Sequence, residues 1–78
     1  PNPFNNQTVI AFDVDEGGDL ILDILDLQGR TVTRMFRGYL ESGHHHVTLN
    51  GSDMVSGYYF IRLRGSDRVD IRKMVLLK

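Results

Sequence analysis

The chain has 78 residues, a net charge of −1 and no cysteine, which leaves room for one small domain and excludes disulfides, thiol nucleophiles and thiolate metal sites. Its composition, 41% apolar and 24% charged, is that of a globular domain. No apolar run approaches the ~20 residues of a membrane-spanning helix. We expect a single domain over residues 1–78 that is not an enzyme, because a chain this short encloses little volume for a catalytic cleft, and we expect no cofactor.

Alternating apolar and polar residues, interrupted by turn residues at roughly 8–12-residue intervals, predict β-strands. The first half of the chain predicts strands at 8–14, 19–27 and 31–39. Acidic residues and two glycines at 15–18 end the first strand, and Gly29 permits the turn after the second. The inward face of the third strand is ambiguous, since polar and apolar side chains occur on both of its sides.

The second half predicts strands at 44–49, 58–64 and 68–77. The short connection at 65–67 predicts that the last two strands pair antiparallel. The final strand ends in Met74-Val75-Leu76-Leu77. It is apolar on both faces there, which predicts a central, buried strand. Six or seven strands without a helical segment predict an all-β fold, an antiparallel Greek-key sandwich of about seven strands, with a small barrel as the second choice.

Three consecutive histidines, His44, His45 and His46, are the clearest candidates for metal ligands. In a strand, the first and third share one face and the second points to the other. Two imidazoles do not complete a structural zinc site, which takes four protein ligands. The clustered acids at 13–16 and the Asn-Gly-Ser-Asp turn at 50–53 lack the spacing of a calcium-binding loop. We therefore predict no metal site and assign these residues to turns and strand surfaces.

Tyr58, Phe60, Arg62 and Arg64 share one face of the fifth strand and resemble a base-stacking platform. The acidic first third of the chain and its slightly negative total charge argue against a nucleic-acid partner. We therefore expect core aromatics followed by a solvated strand end. Asp23 and Asp26 are expected to be solvated strand and turn residues rather than a catalytic acid–base pair.

Several short motifs occur in a fixed order along the chain: Pro1-Asn2-Pro3, Thr8-Val9-Ile10-Ala11-Phe12, Asp26-Leu27-Gln28-Gly29-Arg30, Gly43-His44-His45, Ser56-Gly57-Tyr58-Tyr59 and Lys73-Met74-Val75-Leu76-Leu77-Lys78. Through this order the whole chain resembles the C-terminal sorting domain of the type IX, or Por, secretion system. A related immunoglobulin-like domain, that of the flagellar hook-capping protein, has a similar pattern.

The resemblance implies an immunoglobulin-like sandwich that forms the C-terminal part of a larger secreted protein, with a cargo domain upstream. It implies export through the periplasm and across the outer membrane to the cell surface or the medium. The expected partners are the outer-membrane secretion translocon and a sortase-like peptidase. The residues that the resemblance implies for recognition are Pro1, Pro3, Gly57, Tyr59, Lys73 and Lys78.

Each of these residues also has a purely structural interpretation. Gly57 can permit a turn, Tyr59 can belong to the core, the lysines can be solvated and the prolines can stiffen the entry to the domain. The alternative function is an immunoglobulin-like accessory or glycan-binding module of a secreted enzyme. A homodimer through exposed edge strands is an alternative to a monomer.

Overall fold

The computed structural model describes residues 7–78, and this part of the chain consists of six strands joined by turns. The strands are β1 (Gln7–Val14), β2 (Gly18–Leu25), β3 (Thr31–Leu40), β4 (Gly43–Asn50), β5 (Gly57–Arg64) and β6 (Val69–Leu76). All six strands located in the sequence are found, each with ends within two residues of the prediction, and the count over residues 7–78 is six rather than about seven. Over residues 7–78 there is no helix that could cross a membrane.

The strands form two antiparallel sheets, which confirms the all-β, sandwich-like prediction. The larger sheet has the order β3-β2-β5-β6, and the smaller consists of β1 and β4. The hairpins β2-β3 and β5-β6 join neighbours along the chain, whereas the pairs β1-β4 and β2-β5 join strands that are distant in sequence. Such crossovers between non-consecutive strands are a feature of Greek-key sandwiches.

The core lies between the two sheets and consists of two apolar clusters. One unites strands of both sheets with the loop after β4; its buried members are Ile10, Ile24, Leu49, Met54, Tyr59 and Leu76. The other is formed by Val14, Leu20, Leu22 and Leu63. Leu22 and Ile24, on the central strand β2, are completely buried, and such burial contributes roughly 1.5–3 kcal/mol per side chain.

The prediction that the last strand is central is wrong, because β6 lies at the edge of the larger sheet. In the described part of the chain it pairs with β5 alone. Met74 and Leu76 face the core, whereas Val69, Ile71 and Val75 are each at least half exposed. Apolar residues on both sides of a strand are typical of central burial, but here one apolar side faces outward, and no other element among residues 7–78 covers it.

A register shift resolves the ambiguous third strand. Leu22 pairs with Phe36 and Asp23 with Arg34, so Met35 is the extra residue of a bulge in β3. Strict alternation would place Arg34 and Arg37 on opposite faces, whereas the bulge brings both to the same face. That face of the larger sheet, turned away from β1 and β4, is called the outer face below.

Candidate functional site

The loop after β4 folds through short-range hydrogen bonds of its own. The side-chain oxygen of Asn50 accepts from the backbone N–H of Ser52 at 3.1 Å and from its hydroxyl at 2.6 Å. The N–H of Met54 donates to the carbonyl of Gly51 at 3.0 Å, and its side chain is anchored in the core. Asn and Ser favour this kind of turn because their side chains replace missing backbone partners.

Lys78 is hydrogen-bonded to this loop. Its ammonium group donates to the carbonyl of Met54 at 2.6 Å and to that of Ser52 at 3.0 Å. Its backbone N–H donates to the hydroxyl of Ser56 at 3.1 Å. Lys78 thus joins the segment after β6 to the loop before β5. We call this arrangement, formed by Ser52, Met54, Val55, Ser56, Tyr59 and Lys78, the Lys78 corner.

Gly57 and Tyr59 lie at the same corner. Gly57 begins β5 opposite Leu76 and has φ of 152°. Residues with a Cβ rarely adopt this backbone conformation. The Tyr59 ring is buried in the core, and its hydroxyl donates to the carbonyl of Val55 at 2.5 Å. A buried tyrosine of this kind needs a partner for its hydroxyl. The Ser56-Gly57-Tyr58-Tyr59 motif therefore builds the corner that holds Lys78.

Lys73 lies apart from the Lys78 corner. It is exposed on the outer face, next to Phe60 in the ladder, and its ammonium nitrogen is 5.5 Å from the centre of the Tyr58 ring. This is a cation–π contact at an exposed site. Of the six residues that the resemblance implied for recognition, the structure brings together Gly57, Tyr59 and Lys78. Pro1 and Pro3 lie outside the described residues.

A second motif, Asp26-Leu27-Gln28-Gly29-Arg30, forms the turn between β2 and β3. The Asp26 carboxylate accepts from the N–H groups of Gln28 and Arg30 at 2.9 Å each and from the Arg30 side chain at 2.8 Å. Gly29, with φ of 88°, supplies the left-handed position that the turn requires. Hydrogen bonds from the backbone and side chain of Arg30 and from Gln28 lower the pKa of the Asp26 carboxyl. The motif is therefore a self-contained turn.

Asp23 is not solvated, contrary to the sequence-based expectation. Its side chain is 0% exposed, although it lies on the outer face, because long arginine side chains from both neighbouring strands cover it. Arg34 of β3 donates to one carboxylate oxygen at 3.0 Å, and Arg62 of β5 donates to the other at 3.0 Å. Arg64 approaches to 4.0 Å. These four residues are called the Asp23 cluster.

The Asp23 cluster determines the protonation of its carboxylate. Burial raises the pKa of the Asp23 carboxyl, but the hydrogen bonds and charges of Arg34 and Arg62 outweigh burial and hold the pKa below its ordinary value. Asp23 is thus ionised at neutral pH. Alternation alone could not reveal this cluster, since its members come from three strands; its only signal in the sequence is a carboxylate at an apolar-flanked position of β2.

The three histidines alternate between faces as predicted, and both His44 and His45 contact residues of strand β1. His44 bonds to the Asp13 carboxylate through a ring nitrogen. His45 points the other way, stacks on Phe12 with ring centres 5.7 Å apart and bonds to the carbonyl of Glu41 at 2.7 Å. Within residues 7–78, no three histidine or acidic side chains are grouped so that they could hold a metal ion.

The expectation that Tyr58 and Phe60 are core aromatics is wrong. Tyr58, Phe60, Arg62 and Arg64 do share a face, but it is the outer face, where Tyr58 is 58% exposed. Tyr59, which points inward, is the aromatic residue that β5 contributes to the core. Parity within the strand was correct, and only the assignment of inside and outside was reversed.

Comparison with known proteins identifies a family. The family model described as a secretion system C-terminal sorting domain matches residues 1–77. Neither the curated proteins nor the solved structures include a match to the chain.

Proposed function

The chain belongs to the family of secretion system C-terminal sorting domains, and we propose that strand β6, held in place by the Lys78 corner, is the part of the signal that the machinery reads. The domain directs a larger cargo protein, by type IX secretion, across the outer membrane to the cell surface or the medium. It acts together with the type IX secretion machinery and the upstream cargo.

The geometry of the Lys78 corner carries the proposal. Lys78 already donates to two loop carbonyls, so its ammonium group is engaged within the domain. Its role is to hold the end of β6 in place rather than to meet a partner directly. Gly57 and Tyr59 support the same arrangement from β5, since Tyr59 bonds to the carbonyl of Val55.

Strand β6 has the features of a recognition element. As an edge strand it leaves one row of backbone N–H and C=O groups without a neighbouring strand among residues 7–78. A receptor can read such an edge by adding a strand of its own. We propose the outer-membrane translocon as this receptor and a sortase-like peptidase as the enzyme that afterwards separates cargo and signal.

The free edge also supports a homodimer by edge pairing as an alternative state of the isolated domain. Sedimentation velocity distinguishes this homodimer from the monomer.

We further propose that the domain is not an enzyme. The hydroxyls of Ser52 and Ser56 bond to Asn50 and to the Lys78 backbone, and neither is joined to a histidine. His44 and Asp13 form an exposed pair without a nucleophile beside it in the described contacts. This arrangement supports a signal that is bound rather than a site that reacts.

The test is surface delivery of a reporter fused upstream of Pro1, in a bacterium with a working type IX system. Lys78→Met removes the ammonium group and keeps most of the apolar stem. Arg30→Met is the matched control, because Arg30 is a highly exposed cation in the turn between β2 and β3, outside both β6 and the Lys78 corner. We expect the intact fusion and the control to reach the surface, and Lys78→Met to accumulate in the periplasm.

A version lacking residues 73–78 and one with a folded tag after Lys78 complete the series. Both are expected to remain in the periplasm, because the first removes half of β6 and the second obstructs its end. Normal delivery of Lys78→Met would contradict the role of the Lys78 corner. Normal delivery of the version with the tag would contradict recognition of β6 by the machinery at the C-terminal end of the strand.

A further inference from the structure

The outer face of the larger sheet has a charge opposite to that of the whole chain. Five cations and two carboxylates project from it: Arg34, Arg37, Arg62, Arg64, Lys73, Asp19 and Asp23. The chain as a whole has a net charge of −1. Positive charge is therefore concentrated on this one face, and most carboxylates lie elsewhere.

Much of this positive charge has no internal partner. Asp23 is the one carboxylate within 4.0 Å of Arg34, Arg62 and Arg64, so three positive charges surround one negative charge. Arg37 forms no ion pair with any residue in the described part of the chain, 7–78. Together with Asp19 and Arg64 it lines a shallow depression on the face. An anionic group placed there would meet the guanidinium groups of Arg37 and Arg64, beside the Asp19 carboxylate.

An apolar stripe runs beside these arginines. Its members on β5 and β6 are each at least half exposed: Tyr58, Val69, Ile71 and Val75. In the ladder, Ile71 is opposite Arg62, and Val69 is opposite Arg64. Exposed apolar patches rimmed by polar residues mark interaction sites, and Tyr and Arg are enriched where proteins bind one another tightly.

We infer that the outer face docks a separate protein, one whose own surface carries carboxylates around an apolar centre. Charge complementarity favours such a partner because it satisfies the arginines, while its apolar centre covers the aliphatic stripe. A nucleic acid or another simple polyanion would satisfy the arginines and leave the stripe in water. A second copy of this chain, placed face to face, would bring the same positive charges together.

The upstream cargo is a less suitable occupant than a separate protein. The described part of the chain begins at Gln7, in β1 of the smaller sheet. The outer face is on the opposite side of the larger sheet, beyond the core. This surface is also distinct from the Lys78 corner, so binding to it can be tested without export.

The experiment is a titration of the isotope-labelled 78-residue chain, followed by NMR. The probes are an acidic amphipathic peptide of alternating Glu and Leu, polyglutamate, a single-stranded DNA oligonucleotide and phosphatidylglycerol vesicles. We expect the amphipathic peptide to bind most tightly and to shift the amide resonances of Arg37, Arg64 and Ile71. The amide resonances of β1 and β4 should remain unchanged.

Four variants separate charge from apolar contact. Replacing both Arg37 and Arg64 with Gln, or Ile71 with Ser, should each weaken binding of the peptide by roughly tenfold, the effect of losing an important interface contact. Arg72→Gln and Val9→Ser are the matched controls, because they remove an exposed cation and an exposed apolar side chain that lie off the outer face. Each should change the affinity by less than about twofold, as expected for residues outside an interface.

Three results would overturn the inference. Polyglutamate or DNA that binds as tightly as the peptide, and is unaffected by Ile71→Ser, would make the face a general polyanion site. Tighter binding to the vesicles would make it a lipid-binding surface. Shifts that avoid the outer face with every probe would remove the docking site altogether.

Discussion

Replacing Asp23 with Asn keeps the shape of the side chain but removes the negative charge that the arginines of the Asp23 cluster surround. Removing one partner of a fully buried ion pair costs about 3–5 kcal/mol, because the remaining charge stays buried without a partner. Here the side chains of Arg34, Arg62 and Arg64 are 43%, 23% and 40% exposed. Water can therefore rehydrate them in part, and we expect a loss of about 2–3 kcal/mol.

This loss is large for a domain of 78 residues, whose free energy of unfolding is expected to be roughly 4–12 kcal/mol. Urea unfolding of Asp23→Asn should show a lower midpoint with an unchanged slope, and Tm should fall by roughly 10–20 °C. Asp19→Asn is the matched control, since Asp19 is an exposed carboxylate on the same strand and the same face. It should change the free energy of unfolding by less than about 0.5 kcal/mol.

The pH dependence gives an independent measurement of the same cluster. The folded-state pKa of Asp23 lies below its ordinary value of 3.8, so its ionised form stabilises the fold above that value. This stabilisation is lost as the pH falls from 3.8 through the lowered folded pKa. The difference in stability between the natural chain and Asp23→Asn should therefore be constant near neutral pH and shrink below pH 3.8.

A double-mutant cycle with Arg34→Gln assigns the effect to the pair. We expect a coupling energy of about 1–2 kcal/mol between the two positions, within the range for residues in one charged network. An Asp23→Asn chain as stable as the natural one at pH 7, or a stability difference that does not change on acidification, would refute the reasoning.

Three further substitutions test the Lys78 corner. Lys78→Met should lower the free energy of unfolding by about 1 kcal/mol, because two loop carbonyls lose a charged donor, and it should accelerate hydrogen exchange of the last amides of β6. Unchanged exchange would contradict the role of Lys78 in holding the end of β6. Tyr59→Phe should lower the free energy of unfolding by about 1 kcal/mol through the lost hydrogen bond to a loop carbonyl, whereas Tyr58→Phe, at an exposed ring, should leave thermal unfolding unchanged. Equal effects of the two substitutions would mean that the Tyr59 hydroxyl contributes nothing to stability. Gly57→Ala should lower the free energy of unfolding by about 1–2 kcal/mol because of the positive φ at this position. Gly18→Ala is the control, since φ is ordinary there and no atom lies within 4 Å of the added Cβ. A similar urea midpoint for both variants would exclude backbone strain at Gly57.

Much of this fold follows from local information. Alternation and turn residues predicted every strand to within two residues of its ends, and the Asp26 turn closes through contacts at most four residues apart. Such contacts depend on short stretches of chain, so a short stretch is enough to predict them. The family likewise follows from the order of short motifs along the chain, which requires no knowledge of how the strands pack.

The order of the strands was decided only by the tertiary structure. β6 has the pattern of a central strand but lies at an edge, and Tyr58 has the pattern of a core residue but is exposed. The alternation of side chains along a strand predicts which residues share a face. It does not predict which face is buried in the core, because that depends on which distant strands pack there.

The candidate sites depend on the same long-range pairing. The Asp23 cluster joins residues of β2, β3 and β5, and it needs the bulge at Met35 to turn Arg34 toward the carboxylate. The contact of Lys78 with Met54 spans 24 residues of the chain. The sequence by itself determined the strands, the turns and the family, because these depend on neighbours along the chain. Only the tertiary structure decided which charges meet and which faces stay open, because register and sheet order arise when separate strands pack together.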